Sequence, residues 1–294
     1  MPNPSPVLSI GMPVYNGARY IKEALDSLLT QTYTDFELII SDNASTDETE
    51  AICREYASRD SRIRVVRHDE NRGAIANFSY VLTQARGKFF MWAAHDDKWS
   101  SDYIDILLRA LLDCDALSLA YGVPILTNPD GGIEKVGKNN FFRSRMMRIH
   151  PQNPALLNLL IYYLDRNPFK IYGIFKTASL KGCALEPFYG SAQNTDNVFL
   201  LRFIATHSLR ECPEAHYWYR LVPKTEKQYA ERDAYEPPSH LLTEIRFARE
   251  LAYILFRKGL VLGILTCPIL PLLFLSAYLK PLISRTWRTI VAHG

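Results

Sequence analysis

An α/β fold, built on a mostly parallel sheet with helices on its faces, is predicted by three observations. Short apolar runs alternate with segments of helical period over the first hundred-odd residues. The apolar runs are nearly continuous, as strands buried on both faces require. Each run is followed by a cluster of Asn, Asp, Ser or Gly, the residues of turns and caps.

The elements follow in order. VLSIGMPV reads as the first strand, broken by Asn16 and Gly17. Ile21, Ala24, Leu25, Leu28 and Leu29 then fall at i, i+3, i+4, i+7 and i+8, the stripe of an amphipathic helix. FELIIS is the second strand. Ser45 followed by Glu48 offers a capping box for a helix carrying Ile52, Tyr56 and Ala57 inward. RIRVVRH is the third strand, after which Gly73 opens a helix with Ile75, Phe78 and Leu82 on one face. KFFMWAA is the fourth strand, YIDILLRALLDC a further helix and ALSLAYG a further strand, and TNPDGG marks a tight turn. Beyond it the alternation decays, which suggests a division into residues 1–122, 123–230 and 231–294. The last begins near KQYAERDAYEPPSH, a polar stretch with the composition of a linker.

Composition excludes several function classes. With 48% hydrophobic and 22% charged residues and a net charge of +3, the chain is neither disordered nor a typical nucleic-acid binder. Five scattered cysteines without a C-x-x-C pair fit reduced thiols, hence a cytoplasmic protein. No basic and apolar leader opens the sequence. The tail differs from the rest. From Leu241 onward seven Lys/Arg face two acids, and GLVLGILTCPILPLLFLSAYL (259–279) is 21 residues without a charge. That length spans ~30 Å of hydrocarbon, yet Pro268 and Pro271 interrupt it and cations flank both ends. A helical apolar extension lying on the inner face of the cell membrane is the expectation, with a packed helical pair or a dimer surface as the alternative.

Ligands of an open parallel sheet collect beyond the carboxyl ends of its strands. PVYNG, SDNASTDET, DENRG and HDD all fall there. The adjacent carboxylates Asp96 and Asp97 suit a hard cation on a diphosphate, since Mg²⁺ or Mn²⁺ takes one or two carboxylates and completes its shell with water and phosphate oxygens. The plain alternative is a turn into a helix capped near Ser100 or Ser101. His95 reads as a pocket wall rather than a ligand.

Taken together, SIGMPVYNGARYIKEALDSLLTQTYTDFELIISDNASTDET, NRGAIANF and ARGKFFMWAAHDDKW resemble the nucleotide-binding half of family 2 glycosyltransferases with the GT-A, Rossmann-like fold, over roughly residues 7 to 122. The resemblance implies a single-sugar, inverting, metal-dependent transfer from a UDP- or dTDP-sugar donor. Pro13, Val14, Tyr15 and Asn16 would cradle base and ribose, and Asp42 would hydrogen-bond the base. Asn71 and Gly73 match the third motif. Asp96 would approach the ribose or metal, and Asp97 would coordinate Mg²⁺ or Mn²⁺. The best match to the family's catalytic base is Asp196, ahead of VFLLRFIA, with Glu186 and then Asp165 in reserve; Arg220 in HYWYRLVPKT would meet a phosphate. Some family features are missing. Ala76 stands where many relatives have arginine, Thr195 replaces an acid beside Asp196, and Leu221 and Val222 replace a histidine. No Q-x-x-R-W motif of the processive relatives occurs. The implied acceptor is a glycan, or a lipid-linked glycan in bacterial surface polysaccharide assembly. The rival reading is a non-catalytic nucleotide-sugar-binding protein of the same fold.

Overall fold

The structure is a computed structural model that describes residues 5–133, 158, 159, 162, 168–183, 195–222, 253 and 254. The chain divides into two units, Met1–Pro237 and Pro238–Gly294. The linker stretch, the apolar run at 259–279, Glu186 and Asp165 lie outside the described residues. No helix among the described residues is long and apolar enough to cross a membrane.

In the first unit the elements run β1 (Leu8–Val14), α1 (Ile21–Leu29), β2 (Phe36–Asp42), α2 (Thr49–Arg59), β3 (Ile63–Arg67), α3 (Gly73–Thr83), β4 (Phe89–Trp92), β5 (Lys98–Trp99), α4 (Tyr103–Leu112) and β6 (Leu117–Thr127). A 3₁₀ turn (Pro168–Tyr172), β7 (Ile174–Lys176), α5 (Thr177–Gly182), α6 (Thr195–Thr206) and β8 (Ser208–Arg220) complete the described elements. The strands form one mixed sheet in the order β3-β2-β1-β4-β7-β6-β8-β5. β3, β2, β1 and β4 are parallel, and β7 turns the direction by pairing antiparallel with both β4 and β6.

β1 and β2 are buried at every residue, as a sheet covered on both faces demands. Even Glu37 is inside. Its carboxylate accepts from Ser9 Oγ at 2.7 Å and from Arg86 N and Nε at 3.0 Å, so the charge is paired and hydrogen-bonded. α1 buries Ile21, Ala24, Leu25 and Leu28, the predicted stripe, and each large apolar side chain among them contributes roughly 1.5–3 kcal/mol by leaving water. A Cβ on Gly11 would stand 2.7 Å from Val81 and 2.8 Å from Phe90, so glycine here lets α3 approach β1.

Three expectations are corrected. Ser45 does not cap α2. Its hydroxyl accepts from Asn16 N at 2.9 Å, while Asp47 Oδ1 accepts from Thr49 N at 3.0 Å, so the side chain is spent on joining two loops. The inward face of α3 consists of Asn77, Val81 and Leu82, with Ile75 and Phe78 only half-buried. Asn77 is polar yet satisfied: it accepts from Ser41 Oγ at 2.5 Å and donates to the Ser41 carbonyl at 2.9 Å. Nor is α4 capped by a serine side chain; its N-cap is Asp102.

Candidate active site

Parallel pairing sets Val14 opposite Asp42 and Asp42 opposite Arg67, so the loops leaving β1, β2 and β3 start side by side. Pro13 and Val14 are buried, Tyr15 is half-buried and Asn16 is exposed. Asn16 adopts φ 50°, a left-handed turn that asparagine tolerates. Its Oδ1 accepts from Thr46 N at 2.8 Å; Gly17 N donates to Thr49 Oγ1 at 2.8 Å and Ala18 N to Asp47 Oδ2 at 3.1 Å. The loop after β1 is thereby sewn to the loop after β2.

Asp42 is fully buried. Its Oδ1 accepts from Ser45 N at 2.9 Å and its Oδ2 from Arg67 Nη1 at 2.5 Å. Arg67 also donates to the Ser45 carbonyl at 3.0 Å and pairs with Glu50 at 3.2 Å. Asn43 links the next loop: it donates to Asn71 Oδ1 at 2.7 Å and accepts from Arg72 N at 3.0 Å. Asn71 Oδ1 in turn accepts from Gly73 N at 2.9 Å, and Gly73 sits at φ 80°, where a side chain would be strained. Behind this cradle, His68 Nε2 lies 2.9 Å from Ser41 Oγ. Burial, then the Arg72 charge, holds the His68 imidazole below its usual range.

The turn after β4 is built differently. Ala93 N donates to Gly11 O at 2.9 Å, and the chain then turns through His95, Asp96 and Asp97 into β5. A Cβ on Gly17 would meet His95 at 2.6 Å, so His95 packs edge-on against that glycine. Asp96 is half-buried and Asp97 is 2% exposed. Because β5 pairs antiparallel with β8, Lys98 lies opposite Trp218, and Arg220 N donates to Asp97 Oδ1 at 2.9 Å. Asp97 Oδ2 has no partner at all. Burial, then the charge of Asp96, pushes the Asp97 carboxyl well above the usual range, against the pull of Arg220.

Arg220 is itself buried, and each of its three side-chain nitrogens donates to protein. Nε reaches the Asp96 carbonyl and Nη1 the Pro129 carbonyl, both at 2.9 Å, while Nη2 pairs with Glu23. A phosphate would have to share these groups.

Asp196 opens α6, where its Oδ1 accepts from Asn197 N at 2.8 Å. Burial first, then the charges of Asp97, Tyr219, Asp96 and Asp196, push the Tyr172 hydroxyl well above its usual range. Asn43, Arg67, Glu23 and Tyr172 were not foreseen. Arg67 ends a strand beside a ligand loop, a signal that was available; Glu23 carries no such signal.

The donor set fits a hard cation. No group of three or more His, Cys, Asp or Glu among the described residues converges as a complete cage. One buried, unpaired carboxylate oxygen with a second carboxylate beside it is nonetheless what Mg²⁺ or Mn²⁺ uses when phosphate oxygens and water complete its shell.

Known proteins share this frame. The model of the family described as "Glycosyl transferase family 2" matches residues 9–165, more than half of the chain. A putative teichuronic acid biosynthesis glycosyltransferase, TuaG of Bacillus subtilis, is 35% identical over 113 residues, 38% of this chain and 45% of that protein. An uncharacterized glycosyltransferase of Rickettsia prowazekii is 37% identical over 111 residues, 38% of this chain and 34% of that one. The chain thus spans less than half the length of these relatives. Among solved structures, Staphylococcus aureus TarS in complex with UDP-GlcNAc superposes with a TM-score of 0.62 at 20% identity, covering 84% of this chain and 69% of that one. The Pyrobaculum calidifontis mannosyltransferase PcManGT in complex with GDP-Man and Mn²⁺ superposes with a TM-score of 0.56 at 20% identity, covering 99% and 85%. The fold is that of the GT-A proteins.

Proposed function

We propose that this chain, which belongs to glycosyl transferase family 2, is an inverting glycosyltransferase. It moves a single sugar from a UDP- or dTDP-linked donor to a hydroxyl acceptor with the help of Mg²⁺ or Mn²⁺. The observation that carries this reading is the orphaned Oδ2 of Asp97, a buried carboxylate oxygen without a partner at the carboxyl end of a sheet. A bare buried carboxylate is costly, of order several kcal/mol, unless a cation compensates it. The neighbour bound to UDP-GlcNAc and the neighbour bound to GDP-Man and Mn²⁺ support a nucleotide-sugar donor and a divalent ion.

The residues divide the work. Pro13, Val14, Tyr15 and Asn16 form the floor for base and ribose, and Asp42, Asn71 and Gly73 shape the loops beside them. Asp97 would hold the cation with Asp96 next to it, and the cation would supply charge neutralisation for the departing diphosphate. Asp196 accepts the proton from the acceptor hydroxyl as that oxygen bonds to the anomeric carbon. The bond from that carbon to the diphosphate oxygen breaks on the opposite side, so configuration inverts and the nucleoside diphosphate leaves with the electron pair. Arg220 holds the Asp96–Asp97 turn beside that diphosphate.

The acceptor is a glycan, lipid-linked in the reading we favour, within bacterial surface polysaccharide assembly. The TuaG relative supports this class. The basic and apolar tail from Leu241 onward suits attachment to the inner face of the membrane, and deleting it should release the protein from vesicles. Calorimetric titration of UDP, dTDP and GDP with Mn²⁺ and then with EDTA tests the donor site, followed by a product assay with Asp196→Asn. Metal-dependent binding without turnover in the wild type would favour the non-catalytic alternative. No binding of any nucleotide would remove the proposal.

A further inference from the structure

Glu23 lies on α1, and none of the roles assigned to the site falls on it. Its carboxylate accepts from Lys98 Nζ at 2.8 Å and from Arg220 Nη2. Arg220 in turn lies 4.5 Å over the Tyr20 ring and reaches three separate segments: the turn of Asp96 and Asp97, through the Asp96 carbonyl and, by its backbone N–H, the Asp97 carboxylate; the Pro129 carbonyl; and Glu23. The Arg220 side chain is only 6% exposed. A guanidinium that deep seeks an anion, and two are within its field, Glu23 and Asp97. The carbonyls of Asp96 and Pro129 fix Nε and Nη1, and Glu23 takes Nη2. With Glu23 in place, Nη2 is paired on α1 and Asp97 Oδ2 is left without a hydrogen-bond partner. Without it, Nη2 loses its anion, and the other carboxylate that feels the Arg220 charge is Asp97.

We infer that Glu23 is a positioning residue: by anchoring Arg220 on α1 it keeps the Arg220 guanidinium off Asp97 and so holds Asp97 Oδ2 open for a cation. The inference rests on the functional reading above, and it assigns a role to a residue that touches neither donor nor metal.

The test measures Mn²⁺ binding to the full chain, with UDP present, by the loss of the free-ion electron paramagnetic resonance signal. Glu23→Gln should weaken Mn²⁺ binding ~10-fold or more, the size of effect seen when the groups that orient metal ligands are removed. Its circular dichroism and melting temperature should stay near wild type, because Glu23 is a half-exposed pair. Glu23→Asp should recover most of the loss. Lys98→Met, which removes the other partner of Glu23 and leaves Arg220 paired, should shift Mn²⁺ affinity by less than about 3-fold. Should Glu23→Gln bind Mn²⁺ as the wild type does, or should Lys98→Met lose as much as Glu23→Gln, the positioning role is overturned while the site stands. Failure of the wild type itself to bind Mn²⁺ with UDP would overturn the functional reading and this inference together.

Discussion

The loops after β1, β2 and β3 and the turn after β4 lie at the same end of one sheet, yet they solve opposite problems. In the first region nearly every polar group finds a partner within the protein: Asn16 with Ser45 and Thr46, Asp42 with Ser45 and Arg67, Asn43 with Asn71 and Arg72. In the second, a carboxylate 2% exposed keeps one oxygen unpaired and lies beside a second carboxylate. The first region is a finished cradle whose shape is independent of any ligand. The second leaves a buried carboxylate oxygen that no described residue hydrogen-bonds. A binding surface can be satisfied in advance; the cation site proposed for Asp97 cannot be, because its ligand oxygen must stay free.

The largest effects should come from breaking the unfinished region. Asp97→Asn should lower kcat/KM at least ~100-fold, since a neutral amide forfeits the several kcal/mol a metal gives to the departing charge. The same change should raise the melting temperature of the metal-free protein. The sign follows from the raised Asp97 pKa: the fold disfavours the charged form, so an amide that still accepts from Arg220 N relieves the strain. A lower melting temperature in EDTA would contradict the contrast drawn here. Asp196→Asn should cut kcat by roughly 10²–10⁴-fold while UDP binding, followed by calorimetry, stays intact; a proportionate loss of UDP affinity would make Asp196 a donor ligand instead.

Breaking the finished region should act on stability first. Asn43→Ala leaves Arg72 N without its acceptor and should lower unfolding free energy by about 1–2 kcal/mol in urea titration. Ala44→Gly should go the other way. Ala44 stands at φ 60°, so glycine relieves a left-handed strain of roughly 1–2 kcal/mol against its own entropic cost, for a net gain of up to about 1 kcal/mol. A smaller effect concerns pH. His68 is held below its usual pKa, so the folded state favours the neutral ring. Its stabilising contribution is complete above the unfolded value near 6.5 and is lost as pH falls from there toward the folded pKa. Thermal melts between pH 7.5 and 5.5 should show this decline, and His68→Asn should flatten it.

Much of this was legible in the chain itself. The period of α1 named its buried face but for Leu29, which is half-buried, and β1 and β2 were readable because a strand covered on both sides must be largely apolar. The adjacency of Asp96 and Asp97 nominated a candidate cation site without any geometry. Other expectations failed for a physical reason. Ser45 has the spacing of a capping box, but a hydroxyl three residues before Glu48 is equally well placed to accept from Asn16 of the neighbouring loop, and only the register of β1 against β2 decides which. α3 turns Asn77 inward because Ser41 waits there to pair with it, a match between residues 36 positions apart that no local pattern encodes.

The sequence by itself therefore determined which segments must be strand or helix and nominated the residues proposed to carry chemistry, because periodicity, turn residues and paired carboxylates are local properties. Tertiary structure decided who neutralises whom. Arg220 comes to Asp97 because β5 pairs with β8, Glu23 comes to Arg220 from a helix 197 positions away, and Asp97 Oδ2 is left bare because those partners are spoken for. Charge pairing acts through space over a few ångströms, so it is fixed by the packing of distant segments and not by their order along the chain.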